Sequence, residues 1–188
     1  EKTADSILRP VVSKSWKSAT HSQKKAAFEY SKYYSQFQEP LRGYIYGTGY
    51  GSYVGPKKIN WNQVGVGSMS KSPGQVKKYI NDLTDLIENN SLPQDMKLQR
   101  AAGFGGLEHF FKVPGSLLRS GNTTAIENAI KGKTVVEWAF FSTGAAKGKG
   151  LDVNTKPVLF EVDAPKGTKG LYIEPFGAYG NGAKSSGW

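Results

Sequence analysis

The sequence predicts an α+β domain in which helices come first along the chain and strands follow. Two observations support this prediction. Apolar residues recur at helical spacing in the first half, whereas β-branched and aromatic residues form short runs in the last third. Because the two patterns do not alternate along the chain, they argue against an alternating α/β fold.

The composition limits the chemistry that the chain can perform. Its 188 residues suit one domain, and they include no Cys and only two His, at positions 21 and 109. Thiolate chemistry is therefore excluded, and a His-rich metal site is not expected. No apolar run approaches the ~20 residues that span a bilayer, and no signal-peptide pattern is present.

The formal net charge of +10 has two interpretations. It favours binding to an acidic partner, or it only keeps the protein in solution. The chain contains no block of five like charges, so we expect no nucleic-acid partner.

Two long helices are predicted in the first half. The first spans 22–38, with Ser22 as its cap and Pro40 ending it. The second spans 72–90, with Ser72 as its cap and Pro73 in its first turn. Between them, residues 43–68 are rich in Gly and Tyr and predict an ordered loop.

The second half is predicted to hold shorter elements. Helices are expected at 107–111 and 123–131. The predicted strands are 96–101, 134–143, 157–163 and 170–174. Phe141 is expected to pack in the core, because side chains alternate along a strand.

Two glycine-rich stretches do not match nucleotide-binding motifs. The stretch 144–150 lacks the spacing and the final Ser or Thr of a phosphate-binding loop, and 103–106 is not a dinucleotide-binding fingerprint. Three other features remain: Arg100 near a strand end, Ser142-Thr143-Gly144 at the end of another predicted strand, and the turn at 165–170.

In this order, these features resemble the Arg-Ser-Glu class of mono-ADP-ribosyltransferases, which includes bacterial actin- and Rho-modifying toxins and related phage head proteins. In that family an Arg ends the first core strand, a Ser-Thr-Ser/Thr motif follows an aromatic residue, and a Pro-x-Gly-Thr-x-Gly turn comes later. The matching residues are Arg100-Ala101, Phe141-Ser142-Thr143-Gly144 and Pro165 to Gly170. The helix before Leu41-Arg42 also resembles the family's N-terminal helix.

The resemblance implies one domain, in which N-terminal helices pack on a mixed, mainly antiparallel split β-sandwich. Residues 1–95 would be mainly helical with an insertion at 43–70, and residues 96–188 would form a β-rich NAD-binding core. The implied activity is NAD-dependent transfer of ADP-ribose to a host protein, such as actin or a Rho-like GTPase. The protein would be secreted, delivered into a host cell or associated with a virion.

The resemblance also assigns roles to individual residues. Arg100 would bind the NAD pyrophosphate, because its planar fork donates two parallel hydrogen bonds to phosphate oxygens. Ser142 would bind the nicotinamide ribose or orient the catalytic Glu. The other implied NAD-binding residues are Ala101, Thr143, Gly144, Tyr34 and Gln38, and a target-recognition loop would contain Phe176, Tyr179 and Trp188.

The chain departs from the family pattern at four points. Ala101 replaces the usual Gly, Gly144 replaces the third Ser or Thr, no aromatic residue lies in 145–156, and no Glu-x-Glu or Gln-x-Glu motif follows. We therefore expect a missing last strand and weak activity of this chain, although the intact protein would be active. Two alternatives stay open: a degenerate NAD-binding relative that acts by protein interaction, and a binding module without NAD affinity.

Overall fold

The computed structural model describes residues 2–42, 71–145, 154–174 and 177. Its first part is helical, with α1 at Ala4–Ser18, α2 at His21–Tyr33, α3 at Ser35–Arg42 and α4 at Pro73–Glu88. The second part contains β1 at Met96–Ala102, α5 at Phe104–Phe111, α6 at Gly115–Arg119, α7 at Thr123–Ile130 and β2 at Val158–Ala164. The helices together with an antiparallel pair of strands confirm the predicted α+β class, although α5, α6 and α7 lie between the two strands.

Helix α1 is an element that the sequence patterns do not predict. Pro10 lies inside it, and proline normally breaks a helix because it lacks the N–H donor. The Thr3 side chain caps the first turn, and Leu8 and Val12 are buried on one face. Capping and burial together outweigh the cost of the proline.

The predicted helix at 22–38 is divided into α2 and α3. Thr20 caps α2, so the prediction of Ser22 as the cap was wrong; Gln23 at the third position completes a capping box with Thr20. The prediction that Pro40 ends the helix was also wrong, because Pro40 lies within α3. The break falls at Tyr34, whose carbonyl accepts from the amides of Phe37 and Gln38.

Helix α4 follows its prediction closely. Ser72 is the N-cap and Pro73 occupies the first turn, where its missing N–H costs nothing. The apolar face of α4 packs against α2 and α3 in a core to which Phe140, Leu171 and Ile173 add from later in the chain. The buried residues of this core are Ala26, Ala27, Tyr30, Phe37, Val76, Tyr79, Ile80, Leu83 and Leu86.

The sheet within the described residues has two strands, β1 and β2, paired antiparallel with Met96 opposite Ala164 and Arg100 opposite Phe160. Phe160 and Val158 pack on α5 and α6 in a second core around Leu107, Val113 and Leu118. The predicted turn at 165–170 follows β2. Gly167 adopts a positive φ of 88° there, a conformation that favours glycine.

Two predicted strands are not present. Residues 134–143 are described and form no strand, although Gly144 makes a single bridge to Gln99. Residues 170–174 also form none. β-branched and aromatic side chains indicate only that a segment would fit a half-buried pleated surface. They do not ensure that a second strand lies alongside to form the hydrogen bonds.

Among the described helices, none is both long and apolar enough to cross a membrane. The loop predicted at 43–68 lies outside the described residues.

Candidate active site

Arg100 and Ser142 lie together, 42 residues apart in sequence. Arg100 is on β1, and its Nη1 donates to the Ser142 carbonyl at 2.8 Å. The segment that carries Ser142 is held beside β1 because Gln99 and Gly144 exchange two backbone hydrogen bonds, of 2.9 and 2.7 Å. The structure therefore brings together the two residues that the sequence analysis placed at the centre of the site.

The Arg100 guanidinium is also held by an aromatic ring. Its central carbon lies 4.7 Å from the centroid of the Phe141 ring, within the range of a cation–π contact. Phe141 is an exposed side chain, so the prediction that it packs in the core was wrong. The strand alternation behind that prediction does not apply, because residues 134–143 are not paired as a strand.

The hydroxyl of Ser142 forms a short hydrogen bond with the hydroxyl of Tyr30 on α2. Tyr30 is buried, and its ring makes edge-on contacts with Phe37 and Phe140 at centroid distances of 5.3 and 5.4 Å. Sequence reasoning did not assign Tyr30 to the site. Its place on the apolar face of the predicted helix indicates burial, and a buried Tyr hydroxyl usually has a hydrogen-bond partner. The sequence does not identify that partner.

Tyr30 is a neutral phenol. Burial raises the pKa of its hydroxyl, and the hydrogen bond with Ser142 and the charges of Arg100 and Arg42 oppose that rise without cancelling it. The hydroxyl therefore keeps its proton at neutral pH and remains available as a hydrogen-bond donor.

Gln38 lies next to the hydroxyl pair of Tyr30 and Ser142, and only 4% of the surface of Gln38 is exposed. Its Oε1 accepts from the backbone N–H of Phe140 at 2.9 Å, and its Nε2 donates to the carbonyl of the same residue. Nε2 also donates to the Tyr30 hydroxyl at 3.1 Å. Gln38 thus contacts both the backbone and the hydroxyl pair of the site.

A largely buried ion pair fixes the same segment closer to its start. Arg42 on α3 donates from Nε and Nη2 to the two carboxylate oxygens of Glu137, at 3.1 and 2.8 Å. The side chains are 15% and 11% exposed. Glu137 also accepts from the Ala139 amide at 3.0 Å, so one carboxylate orders both the ion pair and the local backbone.

The remaining predicted residues lie at varied distances from this cluster. Ala101 follows Arg100 on β1 opposite Leu159, and Thr143 and Gly144 continue the Ser142 segment. Tyr34 lies at the break between α2 and α3 and is 53% exposed. The three predicted target-loop residues, Phe176, Tyr179 and Trp188, lie outside the described residues.

In the part of the chain that the structure describes, the His, Asp and Glu side chains form no group of three that would hold a metal ion. The chemical groups available are a guanidinium held by a ring, an aliphatic hydroxyl and a phenol.

Comparisons with known proteins agree with this architecture. An "ADP-ribosyltransferase exoenzyme" family model matches residues 11–184. Among curated proteins, no match is found. Solved structures that match include Plx2a, a toxin from Paenibacillus larvae, with a TM-score of 0.66, 21% identity and coverage of 94% of this chain and 76% of Plx2a.

Two further matches are C3 proteins. C3stau2 from S. aureus, solved with NAD, gives a TM-score of 0.68, 18% identity and coverage of 94% and 78%. The Clostridium limosum C3 exoenzyme gives a TM-score of 0.63 and 21% identity, with coverage of 94% of this chain and 78% of that exoenzyme. At these identities the structural matches establish the fold. The family model spans nearly the whole chain, and the chain therefore belongs to the ADP-ribosyltransferase exoenzyme family.

Proposed function

We propose that this protein uses NAD as its substrate and transfers ADP-ribose to a protein target, with Arg100 and Ser142 in the NAD cleft. The observation that supports this most directly is the contact between Arg100 and the backbone of Ser142, because family motifs far apart in sequence meet there. The S. aureus neighbour solved with NAD supports the same choice of ligand.

Arg100 suits the NAD pyrophosphate. The phosphate groups are negative, and a guanidinium donates to phosphate oxygens through a planar fork. The Phe141 ring and the Ser142 carbonyl already restrict the guanidinium, so fewer side-chain rotations are lost when the ligand binds.

Ser142 would act closer to the reacting bond. Cleavage of the bond between nicotinamide and ribose develops positive charge on the ribose, and a carboxylate stabilises that charge best in the transition state. The Ser142 hydroxyl would bind the ribose or orient this carboxylate. Residues 1–188 contain neither Glu-x-Glu nor Gln-x-Glu. Loss of one preorganised electrostatic group, here the catalytic carboxylate, costs ~100- to 1,000-fold in rate. We therefore expect residues 1–188 to bind NAD but to release nicotinamide slowly.

The first test is NAD binding by isothermal titration calorimetry to residues 1–188 and to two matched variants. Arg100→Ala should weaken binding ~10- to 100-fold, because it removes charge-assisted hydrogen bonds. Arg119→Ala removes the same charge from an exposed position on α6 and should leave affinity unchanged.

The outcomes separate the proposal from its alternatives. Equal losses in both variants would mean that only the net charge matters and that Arg100 is not a specific ligand. If the unaltered protein binds no NAD, a module that acts by protein interaction becomes the better account. Nicotinamide release, measured beside the C. limosum C3 exoenzyme, then reports whether a binding-competent chain also turns over.

A further inference from the structure

We propose that Gln38 is a positioning residue of this site. Its side-chain amide takes the place of a neighbouring strand for the segment that carries Ser142, and it sets the direction in which the Ser142 hydroxyl donates. This inference rests on the proposed function, since it concerns how the NAD cleft is held.

The first step concerns the backbone of Phe140. Buried backbone N–H and C=O groups need partners, and a sheet normally provides them. Residues 134–143 form no strand, yet Phe140 has both groups bonded, to Oε1 and Nε2 of Gln38. A side-chain amide carries the same donor and acceptor pair as a peptide unit. Gln38 therefore fixes the backbone two residues before Ser142.

The second step concerns the orientation of the amide. The Phe140 N–H can only donate, so the atom facing it must be Oε1 and the other must be Nε2. Both hydrogens of Nε2 then have acceptors, the Phe140 carbonyl and the Tyr30 oxygen at 3.1 Å. The orientation of the amide is thus determined by its own contacts.

The third step follows the hydroxyls outward. Either hydroxyl could donate in the bond between Tyr30 and Ser142, and the Tyr30 oxygen already accepts from Gln38. The proposal therefore assigns the donated hydrogen to Tyr30, which leaves the hydrogen of the Ser142 hydroxyl for a bound ligand. The chain of donors runs from Gln38 through Tyr30 to Ser142, which becomes a donor for a ribose hydroxyl or a carboxylate.

Three variants test the proposal. Gln38→Met keeps the side-chain length but removes every hydrogen bond. Gln38→Glu keeps the acceptor and loses the donors when ionised. Tyr30→Phe keeps the amide contact with Phe140 and removes the Tyr30 hydroxyl, with its bonds to Ser142 and to Gln38 Nε2. The matched control is Gln75→Met, because Gln75 is exposed on α4.

Two measurements are made on each variant: hydrogen exchange at residues 138–144 and NAD affinity by calorimetry. Gln38→Met should exchange faster in this segment and lose ~10-fold in affinity, whereas Tyr30→Phe should keep the slow exchange and lose about as much affinity. Gln75→Met should match the unaltered protein in both.

A pH profile separates positioning from general stability. The titratable and charged groups around the network are Tyr30 on α2, Arg42 on α3, Glu137 on the Ser142 segment and Arg100 on β1. A protonated carboxyl carries a donor and an acceptor, so Gln38→Glu should recover slow exchange and part of its NAD affinity as the pH falls. Gln38→Met should stay weak at every pH.

Each outcome decides the proposal. Unchanged exchange in Gln38→Met would overturn it, since the amide would not be holding the segment. Faster exchange with unchanged affinity would reduce Gln38 to a structural role and would also overturn it. If the unaltered protein binds no NAD, the proposed function fails and the positioning role fails with it, whereas the exchange data still report whether Gln38 holds the segment.

Discussion

The ion pair between Arg42 and Glu137 provides a quantitative test of how the Ser142 segment is held. The perturbation is Glu137→Gln, which keeps the size of the side chain and removes its charge. The two side chains are 15% and 11% exposed, and both carboxylate oxygens accept from the guanidinium. The substitution therefore removes the Glu137 charge from beside an arginine whose side chain is only 15% exposed.

The expected magnitude follows from that burial. Removing one partner of a buried ion pair costs about 3–5 kcal/mol, and the residual exposure places this pair at the lower end. In a domain of this size, each kcal/mol of unfolding free energy lowers Tm by about 2–4 °C. A loss of about 3 kcal/mol therefore predicts a Tm lower by about 6–12 °C.

The assay is thermal and urea unfolding followed by circular dichroism at neutral pH. The matched control is Asp163→Asn. Asp163 forms an ion pair with Lys97, and the side chains of Lys97 and Asp163 are 79% and 84% exposed. Exposed pairs contribute little, so this control should change stability by less than about 1 kcal/mol. The double variant Arg42→Met/Glu137→Met should lose less than the sum of its single variants, since no unpaired charge remains.

Two results would refute the reasoning. A Glu137→Gln variant no less stable than Asp163→Asn would show that the pair is not held away from water. Strictly additive losses in the double variant would show that the two side chains do not interact.

Two further predictions concern the helices. Thr20→Ala should lower the unfolding free energy by about 1 kcal/mol, measured by urea unfolding, because α2 loses its capping box with Gln23; no change would contradict Thr20 as the cap. Burial would raise the pKa of Glu29, but hydrogen bonds from Lys71 and Lys25 outweigh it and lower that pKa below its ordinary 4.5. The folded state therefore binds the Glu29 proton less tightly than the unfolded state does. The stability that ionised Glu29 contributes is present above the pKa of Glu29 in the unfolded chain, and it is lost as the pH falls through its pKa in the folded protein. Glu29→Gln should flatten the acid side of the pH–stability curve, and an unchanged curve would contradict this.

Local sequence signals predicted the elements that carry their own start and stop chemistry. α4 has its serine cap, its proline and its apolar periodicity within one stretch, and β1 and β2 are bounded by turn residues. α1 was missed because Pro10 gives the local signal for a break, whereas the burial of Leu8 and Val12 depends on distant packing.

The candidate site shows the same division. Arg100 and Ser142 could be selected from the order of short motifs, and their contact at 2.8 Å agrees with that selection. Their roles toward NAD stay predictions. Tyr30 and Gln38 could not be assigned their partners in advance, because those partners lie 112 and 102 residues away.

The sequence by itself determined the fold class, helix α4 and the positions of β1 and β2, and its motif order selected Arg100 and Ser142 as the site candidates. Each depends on periodicity, capping or motif order, which are local in the chain. The tertiary structure alone decided that residues 134–143 are held by side chains of α2 and α3 instead of a strand. The physical reason is that a β-rich run specifies which groups need hydrogen-bond partners, whereas packing determines which partners come within reach.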